Sequence, residues 1–91
     1  MKTIWKFPLE MGANSITMPR AAKILTVAAQ YDELQMWALV DPDAPREDRV
    51  FFVLGTGQNL PEKISASFWD RYIGTCQLMD GALVVHVFES P

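Results

Sequence analysis

The chain is poor in the residues that most often carry chemistry. It has one cysteine, Cys76, and one histidine, His86. A lone cysteine excludes an internal disulfide and a cysteine-based zinc site. A lone histidine excludes a multi-histidine metal centre, and the sequence around it suggests no Ser-His-Asp arrangement. No apolar run approaches the ~20 residues of a membrane-spanning helix. The segment Met1–Glu10, interrupted by Pro8, holds no apolar run of signal-peptide length. Excess positive charge is also missing: 8 basic residues stand against 11 acidic ones, for a net charge of −3. That balance argues against nonspecific nucleic-acid binding, which needs a basic patch. It leaves room for a small anion held by a few arginines. These absences lead us to expect a soluble cytoplasmic protein without a cofactor.

What is present is apolar material, 49% of 91 residues, enough for one packed domain over 1–91. Its periodicity is mostly two. Trp5, Phe7 and Leu9 share a face, and Pro8 marks an edge strand or a strand end. Gly12–Ser15 reads as a turn, and Ser15–Pro19 as a short extended piece. Ala22–Gln30 is open between strand and helix; with Tyr31–Glu33 as a turn and Leu34–Val40 apolar on both phases, a hairpin is the preferred reading. Asp41–Asp48 reads as a loop and Arg49–Gly55 as a strand. Leu60–Tyr72 holds one short helix near 62–71, with Pro61 and Glu62 suited to its first turn. Asp80-Gly81 between apolar runs predicts a two-residue type I′ turn. That register sets Gln77 opposite Val84, Thr75 opposite His86 and Ile73 opposite Phe88. Cys76, Leu78, Leu83, Val85 and Val87 then face the core. The fold expected is mainly β, an antiparallel meander of about five or six strands forming a barrel or a sandwich. Edge strands in so small a sheet favour a homo-oligomer.

The candidate site residues follow from chemical type. Gly55-Thr56-Gly57 either cradles a ligand with backbone N–H groups or simply ends a strand; two glycines specify little, and the Lys-Ser/Thr of a P-loop is missing. His86 has Thr75 as its expected partner. Asp41 and Asp43 suit Asx turns better than a cation loop. Arg46, Arg49 and Arg71 are suited to bidentate recognition of phosphate or carboxylate. Trp69 and Tyr72 offer stacking faces, whereas Trp37 and Phe52 fit core packing.

The succession MPRAAKILTV, MWALVDPDAP, FFVLGTGQNLP and YIGTCQLMDGALVVHVFE resembles a family of small phage-encoded proteins, a domain of unknown function, over nearly the whole chain. Similar chains usually carry a His just after Gly-Thr-Gly, where this one has Gln58. The resemblance implies a phage context, and hence the cytoplasm of an infected bacterium. The expectation is a non-enzymatic accessory protein that counters host defence. One form would sequester a cyclic or other nucleotide signal, with Arg46, Arg49 and Arg71 on phosphates, Gly55–Gly57 beside the backbone and Trp69 or Tyr72 stacking a base. The alternative is a protein-binding or structural phage protein, such as a direct inhibitor of a host defence protein. A metal-dependent hydrolase ranks last.

Overall fold

A computed structural model of the chain describes residues 1–62 and 71–91. Among them are seven strands: β1 (Thr3–Pro8), β2 (Gly12–Pro19), β3 (Lys23–Gln30), β4 (Glu33–Val40), β5 (Arg46–Gly55), β6 (Tyr72–Leu78) and β7 (Leu83–Glu89). They form two antiparallel sheets, a three-stranded one in the order β1-β4-β3 and a four-stranded one in the order β2-β5-β7-β6. The arrangement is sandwich-like and not a closed barrel. Nor is it a simple meander. Only β3–β4 and β6–β7 are neighbours both in sequence and in a sheet; the β1–β2, β2–β3 and β4–β5 connections carry the chain between sheets, while β5 and β6 share a sheet with β7 between them.

The alternating pattern decides what is buried. Phe51 and Val53 on β5, Val85 and Val87 on β7, Met36, Ala38 and Val40 on β4, and Met18 on β2 are almost wholly inaccessible. Fully burying such side chains contributes about 1.5–3 kcal/mol each, so this shared core is the main force holding the sheets face to face. Pro8 lies on β1, an edge strand, where its missing N–H costs little. Ala22–Gln30 resolves as strand, β3, in spite of its alanines. Tyr31 and Asp32 form the tight β3–β4 connection, both at positive φ (52° and 61°).

Three expectations need correction. Gly12–Ser15 is the start of β2, not a turn. Its turn-like composition has another use: Asn14 accepts the Glu10 N–H (2.9 Å) and donates to the Glu10 and Gly12 carbonyls (2.9 and 3.1 Å), closing the preceding bend from within the strand. Gly12 sits at φ 90°, a conformation open to glycine. The loop after β4 ends earlier than Asp48, because Arg46–Asp48 pair with Thr17–Pro19. With β2 a full strand, the count is seven instead of five or six. The helix expected near 62–71 falls almost wholly on 63–70, outside the described residues. Among the described residues, no helix is long and apolar enough to cross a membrane.

The final hairpin follows the expected register at Gln77↔Val84 and Thr75↔His86. The Asp80-Gly81 turn has φ 55° and 88° and is closed by the Ala82 N–H on the Met79 carbonyl (3.0 Å). Only the far end departs. A bulge between Tyr72 and Gly74 sets Tyr72, not Ile73, opposite Phe88. The bulge re-aims Tyr72 toward the sheet face that carries His86. Where β6 passes β3, a Cβ on Gly74 would lie 3.1 Å from Val27 Cγ2. Gly74→Ala is therefore expected to cost roughly 1–2 kcal/mol by overpacking. In a Val27→Ala background the same change should cost close to nothing, as read from urea midpoints. Equal costs in both backgrounds would place the cause in the backbone instead.

Candidate functional site: a hydroxyl–imidazole cleft at the end of β5

Pairing of β5 with β7 puts Leu54 opposite His86 and Gly55 opposite Val85. Gly-Thr-Gly therefore leaves the sheet beside His86, while β6 brings Tyr72 and Thr75 to its other side. The imidazole is held at both nitrogens. Nε2 lies 2.7 Å from Thr56 Oγ1, and Nδ1 lies 2.8 Å from the Tyr72 hydroxyl and 3.2 Å from Thr75 Oγ1. The Tyr72 and Thr75 hydroxyls are themselves hydrogen-bonded. Every partner is a neutral hydroxyl that can donate or accept, so the set suits either imidazole tautomer. The Tyr72 and His86 rings meet tilted, with centroids 6.2 Å apart.

Gly55-Thr56-Gly57 is a strand-ending turn in which the Gly55 and Thr56 N–H groups are already engaged. The Gly55 N–H goes to Gln58 Oε1 (2.6 Å), the Thr56 N–H to the Val84 carbonyl (3.1 Å) and the Gln58 N–H back to the Gly55 carbonyl (3.1 Å). A phosphate nest needs successive N–H groups aimed outward, and these three are already donated. Gly57 takes φ 94°, which explains that glycine without a ligand. The Gln58 side chain thus completes the turn.

Together these residues border a cleft of about 230 Å³, walled on its apolar side by Leu54, Leu60 and Phe88. Phe88 is fully buried and stacks on Phe52 (centroids 5.8 Å apart), on the sheet face that carries His86 and Leu54, opposite the core residues Val53, Val85 and Val87. Of the candidate site residues, Gly55, Thr56, Gly57, Tyr72 and His86 converge here. Arg71, exposed, immediately precedes Tyr72. Trp69 lies outside the described residues.

Arg46 and Arg49 do not join them. They sit at the opposite end of β5, with Arg49 about 20 Å of strand from Gly55. Arg46 donates to the Pro42 and Ala44 carbonyls (3.0 and 2.9 Å) and covers the Trp5 ring at 5.4 Å. Arg49 forms a two-point pair with Glu89 (Nε–Oε2 2.7 Å, Nη2–Oε1 2.8 Å) and donates to the Ala22 carbonyl (2.6 Å). That pairing holds its guanidinium above the usual arginine pKa, against an opposing contribution from burial. Both arginines serve the fold. Asp41 accepts the Asp43 N–H at 3.1 Å, an Asx turn as expected. Cys76 is buried, and loss of solvent pushes its thiol pKa up, as befits a small core residue.

Fold and site together define a small antiparallel β sandwich with one shallow cleft ringed by hydroxyls and an imidazole. The chain belongs to the family described as Domain of unknown function (DUF7352), whose model matches residues 1–91. Among curated proteins and among solved structures, nothing matches the chain.

Proposed function

We propose that this is a non-enzymatic binding protein, a phage accessory factor that counters bacterial defence by holding a nucleotide signal through its base. The observation that carries the reading is the cleft at the end of β5, where apolar walls meet three convergent polar side chains, Thr56, Tyr72 and His86. Apolar surface with a few placed donors and acceptors is how planar heterocycles are bound. The phage setting comes from the resemblance in sequence. At about 230 Å³ the cleft is smaller than the ~300–1,000 Å³ sites that enclose drug-sized ligands. It takes a base, and the remainder of the nucleotide lies outside. Arg71, exposed and next to Tyr72 in the chain, is the arginine this reading assigns to a phosphate.

Binding is favoured over catalysis on chemical grounds. Thr56 and His86 stand at the separation of a nucleophile and its base. Yet the groups orienting the imidazole at Nδ1 are hydroxyls, which stabilise an imidazolium less than a carboxylate does. The Gly55, Thr56 and Gln58 N–H groups, which could otherwise hold an oxyanion, already donate to protein acceptors. A second reading, a module that inhibits a host defence protein, draws on exposed Ile4 and Leu25 on the two edge strands of the three-stranded sheet.

The test is thermal shift against cyclic di- and trinucleotides and linear nucleotides, with ligand recovery afterwards. A selective ligand at a hundredfold excess over Kd should stabilise the fold by about 2.7 kcal/mol and be recovered intact. Thr56→Val should abolish that shift. A flat panel sinks the nucleotide reading and favours the protein-binding one. Turnover of the ligand would make the protein an enzyme.

A further inference from the structure

The arginines expected to hold phosphate are spent on the fold, yet three other cations converge elsewhere. Lys2, Arg20 and Lys23 line a cleft of about 540 Å³ beside the β4–β5 loop. Sheet register explains the convergence. Thr3 pairs with Val40 and Lys23 with Leu39, so β1 and β3 deliver Lys2 and Lys23 to the two sides of the end of β4. Strand spacing puts these two backbones about 10 Å apart. Arg20 comes from the β2–β3 turn, which is pinned to the loop by the Arg20 N–H on the Pro45 carbonyl (2.7 Å) and closed by the Ala22 N–H on the Pro19 carbonyl (3.2 Å). Ala21, in that turn, is held at φ 63°. A non-glycine residue in the left-handed region costs stability and clusters at ligand sites.

None of the three cationic side chains has a hydrogen-bond or ion-pair partner among the described residues. By contrast, Lys6, Arg46 and Arg49 are all engaged. One acidic side chain, Asp41, lines the cleft, and its Oδ1 accepts the Asp43 N–H. Glu47 stands beside the turn, near the Ala21 N–H (3.4 Å). Three unpaired cations around one concavity, on a chain of net charge −3, make a local positive site against an opposing field.

We infer that this cleft binds a small phosphate-bearing ligand, of the di- or triphosphate class, through Lys2, Arg20 and Lys23. Its volume falls among sites for small molecules. A nucleic-acid strand would need many more phosphate contacts than three cations supply. The cleft lies at the opposite end of β5 from Gly-Thr-Gly, about 30 Å of strand away. It is therefore a second site, independent of the proposed base-binding cleft.

Calorimetric titration with inorganic tripolyphosphate at low salt tests it on the full chain. Binding is expected, weakening as salt rises. The Arg20→Gln/Lys23→Gln pair should weaken it about tenfold or more. Asp41→Asn, which keeps the acceptor and removes the charge, should tighten it. Thr56→Val should leave it unchanged, so failure of the base-binding cleft and of this one are distinguishable. Both Gln positions are exposed, so the urea midpoint should hold; if it moves, Lys2→Gln replaces the pair. The proposal is overturned by absence of heat with tripolyphosphate, or by unchanged affinity in the variants. Tighter binding of an oligonucleotide at equal phosphate concentration overturns it in favour of nucleic acid.

Discussion

Replacing Arg49 by alanine should lower the free energy of unfolding by about 3 kcal/mol. The guanidinium makes three charge-assisted contacts, two to Glu89 and one to the Ala22 carbonyl. Both members of the ion pair are only 19% exposed. Exposed ion pairs contribute little because water screens them and side-chain entropy opposes them. Here the two-point geometry is fixed and largely shielded. Removal also strands the Glu89 carboxylate and the Ala22 carbonyl without their donor, and stranded groups cost more than the bonds they made. The contacts span 40 and 27 residues, so they tie β5 to the end of β7 and to the start of β3. Arg49→Lys restores charge but not the fork, and should recover less than half of the loss. Urea unfolding, with an unchanged slope, is the measurement. A change below about 0.5 kcal/mol would mean that the pair behaves as an ordinary surface pair. Arg49 is in either case a poor probe of ligand binding, since it is engaged with Glu89 and the Ala22 carbonyl and does not line the cleft.

Phe51→Ala should cost about 4 kcal/mol. Phe51 is wholly inaccessible and belongs to the apolar set of β5 that packs with β7. Its removal deletes a ring from a close-packed layer that only partly collapses, so lost transfer energy and a residual cavity add together. The neighbour supplies the control. Val50, on the opposite face, is 37% exposed, and Val50→Ala should cost less than about 1 kcal/mol. The contrast tests register as well as burial, because a slip of one residue exchanges the two faces. Similar costs at both positions would show that β5 is not seated as described.

How much could be read beforehand depends on the span of the interaction. The Asp80-Gly81 turn is local, and it fixed Thr75 opposite His86 and the buried face of Cys76, Val85 and Val87. Pro8 marked an edge strand through its missing donor. The bulge at Tyr72 carries no distinct local signal, so its pairing with Phe88 was out of reach. Thr56 meets His86 only because β5 lies beside β7, and no periodicity reports strand order. Arg49 has the chemistry of a phosphate ligand; its partner is 40 residues away, and residue type alone does not separate a binding arginine from a structural one. Lys2, Arg20 and Lys23 were passed over for the same reason. They are ordinary surface cations until register brings them together. Trp69 and the helix near 62–71 lie outside the described residues.

The strand order also has a consequence during synthesis. β7 lies between β5 and β6, although it is the last of the seven strands to be made. Until translation has passed Glu89, the four-stranded layer exists as two unconnected parts: β2 with β5 on one side, β6 alone on the other. A nascent chain can close the β3–β4 hairpin within microseconds. Its second layer must wait until β7, the strand that joins it, has been made.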